Sequence, residues 1–104
     1  MIYHVVTKQN WQIAVQKGIY AADSLAAEGF IHCSKQEQVK GVLERYYSGQ
    51  TGLLLLHIDE NKLISPLKFE IAPSVNESFP HIFGPLNIAA VFEVEVLNWG
   101  TEKE

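Results

Sequence analysis

The chain holds one cysteine, Cys33, so it cannot close an internal disulfide. That excludes the small disulfide-stapled secreted domains. It holds one arginine, Arg45, and seven lysines scattered among twelve acidic residues, for a formal charge of −4. A nucleic-acid partner needs a basic stripe to neutralise phosphates, and no such stripe is present, so none is expected. No apolar run approaches the roughly 20 residues of a membrane span. The start, "MIYHVV", lacks a basic region and a cleavage site. A cytoplasmic protein without a membrane partner is the expectation. The four histidines, at 4, 32, 57 and 81, never fall at the spacing that lets one element supply two metal ligands. No metal site is expected, and there is no glycine-rich phosphate motif.

What is present suits one small folded unit. The 104 residues are 47% hydrophobic, enough for a core without staples. A single domain over 1–104 is expected, ordered over about 1–98, with a frayed tail at 99–104. Ile2 to Val6 has strand character. Thr7 can cap a helix whose apolar face is Trp11, Ala14 and Val15, ended by Gly18. Ser24 can cap a short helix ended by Gly29. Phe30 to Cys33 alternates as a strand. Ser34 and Glu37 form a capping-box pattern opening a helix of about Lys35 to Tyr47, with Val39, Val42, Leu43 and Tyr46 on its apolar face. "LLLLHID" suits a central buried strand. "LKFEI" alternates, with Leu67, Phe69 and Ile71 on one face and Lys68 and Glu70 on the other. "APSVNESFPHIFGPLN" is expected as a long proline-bearing connection, and "AAVFEVEVL" as a last strand. The order gives an α+β fold with a mixed or antiparallel sheet and two main helices.

The densest chemistry is "EGFIHCS", Glu28 to Ser34. Neighbours on a strand point to opposite faces, so His32 and Cys33 cannot act as a nucleophile–base pair. Cys33 is expected to pack in the core, which leaves a thiol enzyme as a third-ranked reading. His32 lies at a strand end before a helix cap, where ligands are often held. His81 sits between prolines and a glycine, which give it a set direction. Glu70 points away from the apolar face of its strand. His57, inside the leucine run, carries little functional weight.

The segments "IYHVVTKQNWQIAVQKGIY", "EGFIHCSKQEQVKGV", "LLLLHID" and "FPHIFGPLNIAAVFEV" resemble the small bacterial proteins grouped as domain of unknown function 952. That family is similar in fold to ADP-ribosyltransferases, which bind NAD in a cleft of a split, mainly antiparallel β structure. Some motifs also look like those of NAD-dependent RNA 2′-phosphotransferases: His4, Trp11, Gly18-Ile19-Tyr20, and "FIHCS" with His32 on the second histidine of the pattern. The chain departs from those enzymes in its single arginine and in Phe30, which replaces the first histidine.

The resemblance implies an ADP-ribosyltransferase-like fold and a His-lined cleft for NAD or a related nucleotide or sugar-phosphate, with ADP-ribosyl-type transfer as its reaction. In that scheme His4 and His32 bond ribose or phosphate oxygens, and Tyr20 stacks on a flat ring. Ser34 is placed with His4 and Tyr20 in the cofactor-binding set. Glu70 stabilises positive charge on a ribosyl carbon, and His81 is the general acid/base, because imidazole exchanges protons near neutral pH. The rival expectation is a non-catalytic ligand-binding or interaction module that keeps the fold without the chemistry. The single arginine favours that rival. Both readings turn on whether His4, His32 and His81 converge.

Overall fold

The structure, a computed structural model, describes residues 1–98; the tail expected to fray lies outside the described residues. Strand β1 (Ile2–Thr7) leads into helix α1 (Lys8–Lys17). Thr7 caps α1 by accepting from the Asn10 amide at 3.1 Å, and Gly18 ends it at φ 83°. A two-residue strand β2 (Ile19–Tyr20) precedes helix α2 (Asp23–Glu28). Ser24 lies inside α2 and does not cap it; its hydroxyl donates to the Phe30 carbonyl at 2.7 Å, across the turn that follows.

Strand β3 (Ile31–His32) is followed by a 3₁₀ turn at Gln36–Gln38 and helix α3 (Val39–Tyr46). The capping box expected at Ser34 is displaced by one residue. The Lys35 amide donates to the Gln38 side-chain oxygen at 2.9 Å. Ser34 is instead held by its backbone, exchanging bonds with Tyr3 at 2.8 and 2.9 Å. The helix proper therefore begins four residues later than its sequence pattern suggests.

Strands β4 (Leu53–Ile58), β5 (Leu67–Ala72), β6 (Glu77–Ile82), β7 (Leu86–Asn87) and β8 (Val91–Val96) complete the chain. The proline-bearing segment expected as a connection is largely strand, with β6 at the centre of its sheet and β7 paired to β2. Prolines are normally confined to edges because they lack an N–H. Here Pro80 faces Phe69 of β5 across a non-hydrogen-bonded position, since the bonded pair lies at Phe83 and Pro66 and positions alternate from there. On the β3 side Pro80 accepts from Cys33 at 3.0 Å but cannot return the bond. One ladder bond is lost, not a strand.

The described strands form three antiparallel groups, β1-β4-β8, β2-β7 and β3-β6-β5. β4 is apolar apart from His57, and both of its faces are covered. Leu54, Leu56 and Ile58 join Ile2, Ile31 and Ile82 in one cluster. Leu53 and Leu55 join Tyr3, Val5 and Leu43 of α3 in the other. Of the expected apolar face of β5, only Leu67 packs on the core; Phe69 and Ile71 are exposed, because this edge strand runs past it. No helix among the described residues is long and apolar enough to cross a membrane.

The β6–β7 corner depends on Gly84. A Cβ there would meet the Ser65 hydroxyl at 2.4 Å and the Ser65 Cβ at 2.8 Å. Gly84→Ala should cost about 1–3 kcal/mol by forced repacking, lowering Tm by roughly 4–20 °C. A thermal melt unchanged within two degrees would contradict this close approach.

Candidate functional site

Register on the β3-β6-β5 sheet decides which side chains meet. His32 lies opposite His81, and His81 lies opposite Lys68. Directly paired residues share a face, so these three side chains emerge together. The Cys33–Pro80 bond marks that position as hydrogen-bonded, which makes His32–His81 the closer, non-bonded kind of pair. Their ring centroids are 5.3 Å apart, edge to face. The opposite face carries Ile31, Ile82 and Leu67 into the core.

Glu70 reaches His81 on the diagonal, its carboxylate accepting from Nδ1 at 2.7 Å. With the proton held on Nδ1, Nε2 of His81 is the free lone pair. Nε2 has no hydrogen-bond partner among the described residues, and no side-chain nitrogen or oxygen is both buried and unpartnered, so Nε2 reaches solvent. His32 offers Nε2 to both oxygens of Glu28, at 3.2 and 3.3 Å. Two carboxylate-oriented imidazoles thus stand side by side.

Aromatic rings frame them. Phe30 stacks on His81 with centroids 4.0 Å apart and planes at 15°. It meets His32 at 4.8 Å and Phe83 at 5.3 Å. The Lys68 ammonium lies over the Phe83 ring, 5.4 Å from its centre. Lys68 has no ion-pair partner among the described residues, so its ammonium is open to an anion. Lys68, Phe30 and Phe83 were not candidates in the sequence. The signal that could have found Lys68 is its place two residues before Glu70 on an alternating strand.

His4, Tyr20 and Ser34 do not join this face. His4 is buried, with Nδ1 donating to the His32 carbonyl at 2.6 Å and Nε2 accepting from the Tyr20 hydroxyl at 2.8 Å. The carbonyl can only accept, and that fixes the tautomer. Burial pushes the His4 pKa down to about 4, opposed in part by the bond to the His32 carbonyl and assisted by the nearby His32 charge. Burial, then Tyr47, Cys33 and Asp23, push the Tyr20 hydroxyl up, so it keeps the proton it donates. The expected three-way convergence is therefore divided. His32 and His81 meet through their rings, while His4 grips His32 from behind through its backbone.

Cys33 is 3% exposed, and burial pushes its thiol up, which removes the thiolate that a nucleophile requires. His57 is half-buried, with Nε2 at 2.9 Å from Glu95 and its ring edge on Tyr3. An open cavity of about 280 Å³ lies elsewhere, between α1 and the segment after β2, lined by Tyr20, Asn10, Lys17 and Asp23 among others. No set of three or more His, Cys, Asp or Glu side chains among the described residues is arranged to hold a metal.

Comparison with known proteins places the chain in a family without assigning it an activity. The model of the family described as "Protein of unknown function (DUF952)" matches residues 5–94, and the chain belongs to that family. The crystal structure of protein CC0527 from Caulobacter crescentus is similar at 30% identity and TM-score 0.81, covering 89% of this chain and 82% of that one. The solution structure of CC0527 is similar at 30% identity and TM-score 0.79, covering 92% and 83%. No curated protein matches.

The His4 pair makes folding pH-dependent. The folded state holds His4 neutral down to about pH 4, whereas the unfolded chain takes up the proton near 6.5. Stability is therefore fully present above pH 6.5 and is lost as pH falls toward 4, by about 3 kcal/mol in all. Urea midpoints across this window should fall more steeply for the wild type than for His4→Gln. Parallel slopes would show that His4 is not the buried neutral group described.

Proposed function

We propose that the His32–His81 face binds a phosphorylated, ring-bearing metabolite: a nucleotide, NAD among them, or a sugar-phosphate. The observation that carries this reading is the meeting of His32, His81 and Glu70 from three strands, beside the stacked Phe30 and the Lys68 ammonium. Flat rings stack on aromatic faces, and a free ammonium beside two imidazoles attracts phosphate oxygens. The all-antiparallel sheets and few helices support an ADP-ribosyltransferase-like fold as the frame for such a site. Within this proposal the cofactor-binding set shifts. Tyr20 and His4 act as a buried brace behind His32, and Ser34 acts through its backbone bonds to Tyr3.

ADP-ribosyl transfer, the reaction implied by the resemblance, needs a carboxylate facing the ribosyl carbon. Glu70 is turned to Nδ1 of His81 instead. Ligand binding with proton transfer at His81 is accordingly the reading favoured here over glycosyl chemistry.

The test is a titration with NAD, ADP-ribose and ribose 5-phosphate, followed through the imidazole resonances of His32 and His81. At least one ligand should shift both at submillimolar concentration. Phe30→Ala should weaken that binding roughly tenfold, the scale of one lost stacking contact. Unmoved imidazole resonances with all three ligands at millimolar concentration would overturn the proposal. Binding without any product would support the non-catalytic module.

A further inference from the structure

From the geometry of the same face we infer a reaction class: general acid–base hydrolysis of a phosphodiester. The inference rests on the binding proposal above and goes beyond it.

Three features point this way. First, Glu70 accepts the Nδ1 proton of His81 at 2.7 Å, which leaves a solvent-reaching Nε2 as the reactive atom. A carboxylate behind an imidazole is the arrangement of a general base, in which the carboxylate sets tautomer and direction. Second, a second imidazole stands 5.3 Å away, its own carboxylate, Glu28, at Nε2. Its Nδ1 has no partner among the described residues. Third, Lys68 is paired in register with His81 and rests its ammonium over Phe83 without an ion-pair partner among the described residues. One base, one acid and one fixed cation on the same face match the needs of phosphoryl displacement, where charge gathers on the non-bridging oxygens.

The step balances with water alone. His81 Nε2 takes a proton from water as the water oxygen bonds to phosphorus. The bond from phosphorus to the leaving oxygen breaks, and that oxygen takes the Nδ1 proton of a protonated His32. The products are a phosphomonoester and an alcohol. His81 then returns its proton to solvent and His32 regains one, which resets the pair. Lys68 holds the non-bridging oxygens throughout. Glu70 and Glu28 are positioning residues that do not touch the substrate.

The assay uses the full chain with bis(p-nitrophenyl) phosphate and adenosine 2′,3′-cyclic phosphate. At least one should be hydrolysed, with a bell-shaped pH dependence of kcat/KM. His81→Ala and His32→Ala should each lose roughly 100-fold to 10,000-fold, with melting temperatures recorded to show that the variants fold. Lys68→Gln should lower kcat as well as raise KM, because its charge meets the oxygens both in the bound diester and as their charge grows. Glu70→Gln should lower kcat and move one limb of the pH profile, which a merely structural role would not do. If neither diester is turned over while NAD, ADP-ribose or ribose 5-phosphate still shifts the His32 and His81 resonances, the acid–base inference falls and the binding proposal stands. If all three also fail, both fall. Nicotinamide release from NAD without diester hydrolysis would likewise overturn the inference in favour of glycosyl transfer.

Discussion

The segment from Ile31 to Ser34 hydrogen-bonds in two directions, and the remainder of the site hangs on that division. Ile31 to Cys33 pair with β6, and Ser34 pairs with Tyr3 of β1. The change of partner falls where Pro80 cannot return the bond that Cys33 gives it. A proline in a central strand normally weakens it. Here the missing donor coincides with the point at which β3 leaves one sheet for another, so the proline terminates a ladder that had to end. The same junction sets the alternation of bonded and non-bonded positions and brings the His32 and His81 rings together.

The two sides of this junction have different electrostatics. Inside, His4 and Tyr20 form a buried pair whose protons are fixed, one imidazole held neutral by burial and one phenol held protonated. Outside, two further imidazoles meet carboxylates at the protein–water boundary, with an ammonium resting on an aromatic ring. The His32 backbone carbonyl connects them. A buried, fully bonded group is suited to holding geometry, because changing its charge would cost its hydration. An imidazole with one nitrogen held by a carboxylate and the other free is suited to moving protons, as in the half-exposed His32 and the more buried His81. The division of labour between the histidines follows from their hydrogen bonds: both ring nitrogens of His4 are engaged, while His32 and His81 each keep one free among the described residues.

Much of the fold was legible in the residues because local chemistry and tertiary structure agree there. Thr7 and Gly18 bracket α1 as their capping chemistry requires, and the leucine run is a strand covered on both faces. The division of His32 from Cys33 followed from the two-residue period of a strand. The misplacements share a cause. Ser34 satisfies a capping pattern, but its backbone is claimed by Tyr3, so the cap moves to Lys35 and Gln38. The segment holding His81 has the prolines of a loop, yet pairing on both sides makes it the central strand. Phe69 and Ile71 have the alternation of a buried face, but among the described residues no element covers that end of β5. In each case a long-range partner outweighs a short-range preference.

What the sequence determined by itself is the inventory and its local phase: which residues can cap, which strands alternate, and that Cys33 and His32 oppose each other. These depend only on neighbours along the chain. The tertiary structure alone decided that His81 and Glu70 flank His32, that Lys68 joins them, and that His4 and Tyr20 stand behind the site instead of lining it. Those relations come from strand register across as many as 49 positions, read from the pairing of His32 with His81. A one-residue slip in register would turn every one of these side chains to the other face. Register is held by the buried Ile31 and Ile82 and the partly buried Leu67 on the reverse of the sheet, so the chemistry of the outer face is set by the packing of the inner one.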